Sequence, residues 1–217
     1  MCEQFIARSA EPFRLDALWP FAERLERFGI AGFGWGASWI GANGRLESYR
    51  DLRAFRDDPG RHALGATETT AALVHLRRPS RLSTLTLPDT QPFDDPAGRY
   101  AFSHNGDLRD YRALRGQYRA DGRIHGRADT EVAARWLEDE WQPLRSATLL
   151  PDLHERFGGQ ANLALLDAEG IPHTTRATPR TRSSRSAFAR LASSRPGSIR
   201  SIARSSDSLP RARAIAA

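Results

Sequence analysis

The sequence contains no lysine, one methionine and one cysteine, Cys2. A single cysteine excludes an intramolecular disulfide and suits a reducing compartment, so a cytoplasmic protein is expected. No apolar run approaches the roughly 20 residues of a membrane span, and Met1 to Ala10 lacks the basic and long apolar regions of a signal peptide. The six histidines show no metal-ligand spacing and have no second cysteine to join them, so neither a metal nor another cofactor is expected. The net charge of +6 would suggest nucleic acid, but the charge is not where such a reading needs it. Residues 172–217 hold 10 Arg against one acid, Asp207, while residues 1–171 hold 22 Arg against 25 acids. The body is mildly acidic, which argues against nucleic acid as its partner.

What is present begins with Cys2. Removal of Met1 would leave one residue carrying both a thiol nucleophile and a free α-amine. That amine has an ordinary pKa of about 7.7–8.0, so it is a usable base near neutral pH. Taken alone, a cysteine near a chain end is more often an inert small residue. The catalytic reading needs partners elsewhere.

The chain is long enough for one domain with a substantial core. Glu3 to Ser9 reads as a buried strand carrying Cys2 into the fold, with a turn at Pro12 and Asp16. Pro20 suits a first helical turn, Phe21, Leu25 and Phe28 follow at helical spacing, and Gly29 is a stop. Ile30 to Ile40, rich in Gly and Trp, reads as a strand lying close to another backbone. Gly41 to Gly44 is a turn into a return strand over Arg45 to Tyr49, and Arg50 to His62 holds a short helix. Ala71 to Leu76 reads as a buried strand ending in Arg77-Arg78. Leu82 to Gly98 is a loop, Tyr100 to His104 a strand broken at Asn105-Gly106, and Asp129 opens a helix. Leu149 to Phe157 is a further helix stopped by Gly158-Gly159, and Ala161 to Asp167 a strand. From about Ile171 the apolar pattern ends, and Thr174 to Ala217 holds ten Ser and ten Arg. This division gives a domain over 1–171 and an Arg/Ser-rich tail over 172–217, either disordered or an out-of-frame reading of further strands.

Three stretches join Cys2: His75-Leu76-Arg77, His104-Asn105-Gly106 and Arg127-Ala128-Asp129-Thr130-Glu131. Each has a plain structural reading. Asn105-Gly106 can be a turn, Asp129 a helix N-cap, and Arg77 and Arg78 solvated charges. In this order they resemble the class II glutamine amidotransferases, the N-terminal-nucleophile glutaminase domains, and the small stand-alone members most. The pair Gln91-Pro92 departs from the His-Pro often found there. The resemblance implies an α+β fold, the four-layer αββα sandwich of the N-terminal-nucleophile hydrolases, incomplete at the C-terminus. It implies hydrolysis of glutamine through a thioester on Cys2. Asn105 and Gly106 would hold the oxyanion, Arg77 the substrate α-carboxylate and Asp129 its α-ammonium group. The implied partners are glutamine or another γ-glutamyl amide, and an ammonia-accepting protein. His75 and His104 are expected beside the site rather than as its base. A non-catalytic truncated product, or a nucleic-acid binder acting through its basic tail, is the contrasting class of function.

Overall fold

A computed structural model describes residues 2–142 and 145–177, with two short strands at 188–189 and 201–204. Strands β1 (Glu3–Arg14), β2 (Trp35–Ile40), β3 (Leu46–Asp51), β4 (Glu68–Leu76), β9 (Phe188–Ala189) and β10 (Ser201–Arg204) form one sheet in the order β3-β2-β4-β1-β10-β9. Strands β5 (Phe93–Asp94), β6 (Tyr100–Asp107), β7 (Gln160–Asp167) and β8 (Pro172–Ala177) form a second, in the order β5-β6-β7-β8. Every pairing in both sheets is antiparallel. The helices are α1 (Trp19–Gly29), α2 (Gly60–Gly65), α3 (Arg112–Ala120), α4 (Asp129–Glu140) and α5 (Ser146–Phe157).

The two-residue period of the strands divides the core into three layers. Phe5, Ala7, Ala72, Val74, Trp35 and Ala37 point from the first sheet towards Leu18, Ala22 and Leu25 at α1. Tyr100, Phe102, Leu163 and Leu165 point from the second sheet towards Val132, Leu137, Leu153 and Phe157 of α4 and α5. The alternate residues, Ile6, Ala71, Leu73, Ala101, Ala164 and Leu166, meet between the sheets. The architecture is therefore helix, sheet, sheet, helix. The small alanines at the sheet-to-sheet contact let the two sheets approach closely.

Several local expectations change. β1 runs on to Arg14, through Pro12, with an irregularity in its pairing between Arg8 and Phe13. The buried face of α1 is Trp19, Ala22, Leu25, Glu26 and Gly29, not the Phe21–Leu25–Phe28 stripe. Phe28 is exposed and Phe21 half-buried, while the Glu26 carboxylate accepts the Phe55 and Arg56 amides. β6 is not broken at Asn105-Gly106; it continues, with Asn105 opposite Asn162 and Gly106 opposite Ala161. The short helix α3 lies in a polar stretch, and its signal is the 3- and 4-residue spacing of Tyr111, Leu114 and Tyr118, which pack on the second core.

The second sheet also extends past residue 171, since β8 pairs along β7 from Pro172 opposite Leu166 to Ala177 opposite Ala161. The Ala168-Glu169-Gly170 turn, with Gly170 at φ 71°, returns the chain for this pairing. As an edge strand, β8 needs no apolar run, and Pro172 at its first position lacks only a donor that an edge can spare. The reading of a disordered or out-of-frame tail covers 172–217; β8, β9 and β10 lie in that span and pair in the two sheets, while 178–187, 190–200 and 205–217 lie outside the described residues.

Candidate active site

The layer between the sheets is apolar in its middle and turns polar at one end. Gln4 follows the inward parity of Ile6, and its amide donates to the Asn162 carbonyl (2.9 Å) and accepts from the Ser103 hydroxyl (2.6 Å). Cys2, next in the same parity, sits at this polar end. Arg77 extends the inward row of Ala71 and Leu73, and Asn105 that of Ala101. The strand endings thus bring Cys2, Arg77 and Asn105 to one place.

A cavity of about 1100 Å³ opens there, and Cys2, Arg77, Asn105, Gly106 and Asp129 all line it. Cys2 is half-buried. Its sulfur lies 3.3 Å from the donating amide of Arg78 and 3.4 Å from the Arg78 carbonyl. Burial pushes the thiol pKa up, while the Arg78 amide and the Arg77 charge oppose that rise. The Asn105 side-chain amide donates to the Cys2 carbonyl at 2.5 Å, which fixes the backbone of the nucleophile candidate against β6.

Gly106 has φ 143°, and a Cβ there would stand 2.0 Å from the Gln160 carbonyl oxygen. Only glycine lets β6 pass so close to β7. Arg77 is buried, and burial pulls its pKa down against the opposing charge of Asp89. It nevertheless remains a cation, as guanidinium groups do. Its Nη1 donates to the Thr86 carbonyl (3.2 Å) and the Thr90 hydroxyl (3.0 Å), and its Nη2 to the Thr84 carbonyl. Those bonds use three of the five guanidinium donors, leaving one N–H on Nη2 and the N–H of Nε.

Asp129 is the first residue of α4 rather than its N-cap, a position held by Ala128. Its carboxylate accepts the amides of Leu108 and Thr130, each at 2.9 Å. The first bond ties the helix start to the end of β6. His104 also lines the cavity, with Nδ1 3.1 Å from the Thr130 hydroxyl and a pKa lowered by burial. His75 is fully buried, does not line the cavity, and is pushed down to about 3 by burial and then by the Arg77 charge. Asp89 and Gln91, which the motifs did not single out as site residues, belong to the cavity wall as well. Among the described residues no group of three or more His, Cys, Asp or Glu side chains is placed to hold a metal ion.

Residues 79–172 match the family described as a glutamine amidotransferase domain. The chain is thus similar to a glutamine amidotransferase domain over 94 of its 217 residues. Its fold is shared with the glutamine phosphoribosylpyrophosphate amidotransferase from B. subtilis complexed with ADP and GMP (TM-score 0.59, 16% identity), covering 77% of this chain and 35% of that one. The allosteric regulatory enzyme of purine biosynthesis superposes with a TM-score of 0.54 at 17% identity, over 77% of this chain and 36% of that one. A glutamine aminotransferase class-II domain protein from Silicibacter pomeroyi gives a TM-score of 0.59 at 17% identity, over 94% of this chain and 87% of that one. The chain thus covers about a third of the first two proteins and most of the third. At these identities the likeness is one of fold. No curated protein sequence matches the chain.

Proposed function

We propose that this domain hydrolyses the side-chain amide of glutamine through a thioester on Cys2, after removal of Met1. The observation that carries the reading is the convergence of five side chains and backbone positions, from four separate stretches, on one cavity. The free α-amine takes the thiol proton, and the sulfur attacks the amide carbon. The Asn105 amide and the Gly106 N–H stabilise the oxyanion. The amine then passes its proton to the leaving nitrogen, which departs as ammonia. Water, deprotonated by the same amine, attacks the thioester carbonyl. The thiol is regenerated and glutamate leaves. Burial raises the thiol pKa, and the α-amine on the same residue is the base that would take its proton.

The two remaining Arg77 donors suit the α-carboxylate of the substrate, and the Asp129 carboxylate suits its α-ammonium group. Both grips also fit another γ-glutamyl amide. The ammonia passes to an acceptor domain or partner, and the lone thiol suits a cytoplasmic setting.

The decisive experiment is the intact mass of the protein after reaction with a glutamine-analogue electrophile. The expected mass is that of the chain lacking Met1 plus one adduct, with the adduct lost in Cys2→Ala. An unmodified protein, or an adduct that survives Cys2→Ala, overturns the assignment.

A further inference from the structure

One stretch of chain, Thr84 to Gln91, touches three separate parts of the site. Its Thr84 and Thr86 carbonyls and Thr90 hydroxyl accept the Arg77 guanidinium. Its Asp89 is buried and reaches the loop before α4. One carboxylate oxygen accepts the amides of Arg127 and Ala128 (the latter at 2.7 Å), and the other accepts the Thr86 hydroxyl at 2.8 Å. Gly126 makes room for this contact, since a Cβ there would lie 2.2 Å from Asp89. Glu131 holds the two preceding amides, His125 at 2.8 Å and Gly126 at 2.7 Å. Two carboxylates therefore fix four consecutive amides, and the next residue is Asp129.

Gln91 reaches the other wall. β5 pairs with β6 as Phe93 with Phe102 and Asp94 with Ala101. Two further steps of that register place Gln91 across from His104. There it is the Gln91 side chain that supplies the ladder. Its Oε1 accepts the His104 amide (2.6 Å), and its Nε2 donates to the His104 carbonyl (3.1 Å) and the Thr130 hydroxyl (3.3 Å). The residue after this two-sided clamp is Asn105. The backbone at Gln91 is itself seated against Gly36, where a Cβ would stand 2.3 Å from the Gln91 carbonyl oxygen.

We infer that Thr84–Gln91 is a positioning strap with divided roles: Asp89 sets Asp129 for substrate binding, and Gln91 sets Asn105 and Gly106 for the chemical step. Their polar atoms are committed to backbone and hydroxyl partners, so they act through other residues rather than on the substrate. The inference rests on the glutaminase reading proposed above.

The test is steady-state glutamate release by the full chain and by two isosteric variants, at a temperature below each variant's thermal midpoint. Asp89→Asn turns one acceptor into a donor facing amides, and is expected to raise KM roughly tenfold with kcat within about twofold. Gln91→Glu faces the His104 carbonyl with an acceptor, and is expected to lower kcat roughly tenfold with KM within about twofold. If Asp89→Asn does not fold, Thr86→Val should raise KM alone. If Gln91→Glu does not fold, Gln91→Met should lower kcat alone. Equal changes in both parameters, a reversed split or no change overturns the strap. A wild-type chain with no Cys2-dependent glutaminase activity overturns the functional reading and the strap with it. Wild-type activity without the split overturns the strap alone.

Discussion

Gly106→Ala is the substitution on which the proposed oxyanion geometry depends most directly. Its φ of 143° lies where only glycine is comfortable, and placing alanine there costs on the order of 1–3 kcal/mol. The second cost is contact: the new Cβ would meet the Gln160 carbonyl oxygen at 2.0 Å, its carbon at 2.9 Å and the Ala161 Cα at 3.0 Å. All three are backbone atoms of β7, so no side chain can swing aside. Relief of the 2.0 Å contact to an ordinary one of about 3.4 Å requires β6 or β7 to shift by roughly 1.4 Å. A displacement of that size at a catalytic group can cost about 100-fold in rate. Gly98→Ala is the control, because Gly98 has φ 69° but nothing within 4 Å of its Cβ position. It should lower the thermal midpoint slightly and leave turnover unchanged. Glutamate release and thermal unfolding, measured on both variants, separate strain from misplacement. Gly106→Ala retaining turnover within about threefold of wild type would refute the reasoning.

Extending the chain ahead of Cys2 with an uncleaved tag keeps the thiol but turns the α-amine into an amide, so turnover should be nearly abolished; a fully active tagged protein would move the base elsewhere. Arg77→Lys should raise KM by roughly tenfold or more, because three ammonium donors cannot serve Thr84, Thr86 and Thr90 and still form a carboxylate fork. An unchanged KM would remove Arg77 from the substrate grip. Acid sensitivity is expected from His75, whose folded pKa is pushed down to about 3, below its unfolded value of about 6.5. A depressed folded pKa means the contribution is fully present above 6.5 and is lost as pH falls towards 3. The loss approaches about 1.4 kcal/mol per pH unit. His75→Gln should flatten the fall in thermal midpoint between pH 7 and 5, and an unaltered slope would count against a neutral buried imidazole.

Much of the sandwich was legible because strand period and turn residues are local properties. The glycines before Ile40 mark a strand lying close to another backbone, and Gly36 does lie against Gln91. The ordered motifs also named five residues that line one cavity, because short motifs in order survive without knowledge of packing. What was illegible depends on which backbone approaches which. Asn105-Gly106 carries a turn signature, yet β7 pairs across it and overrides the local preference. Phe28 and Glu26 exchange the burial their polarity suggests, because the Phe55 and Arg56 amides need an acceptor inside. Asp89 and Gln91 sit in a proline-containing loop with no period to mark them, and apart from Thr86 their partners lie 13 to 39 residues away. β8 gave no apolar pattern because an edge strand requires little of one.

The position of β1 has a consequence for how this chain is made. Cys2 leads directly into β1, which is flanked by β4 on one side and β10 on the other. Phe5 pairs with Val74, and also with Arg204. During synthesis β1 emerges before both of its neighbours, and it waits for one until about residue 76 and for the other until residue 204. Such long closures are slow, and an open strand edge is exposed throughout the wait. Cys2, the proposed nucleophile, is therefore made before both strands that enclose it, which leaves an interval for the removal of Met1 that the proposed mechanism requires.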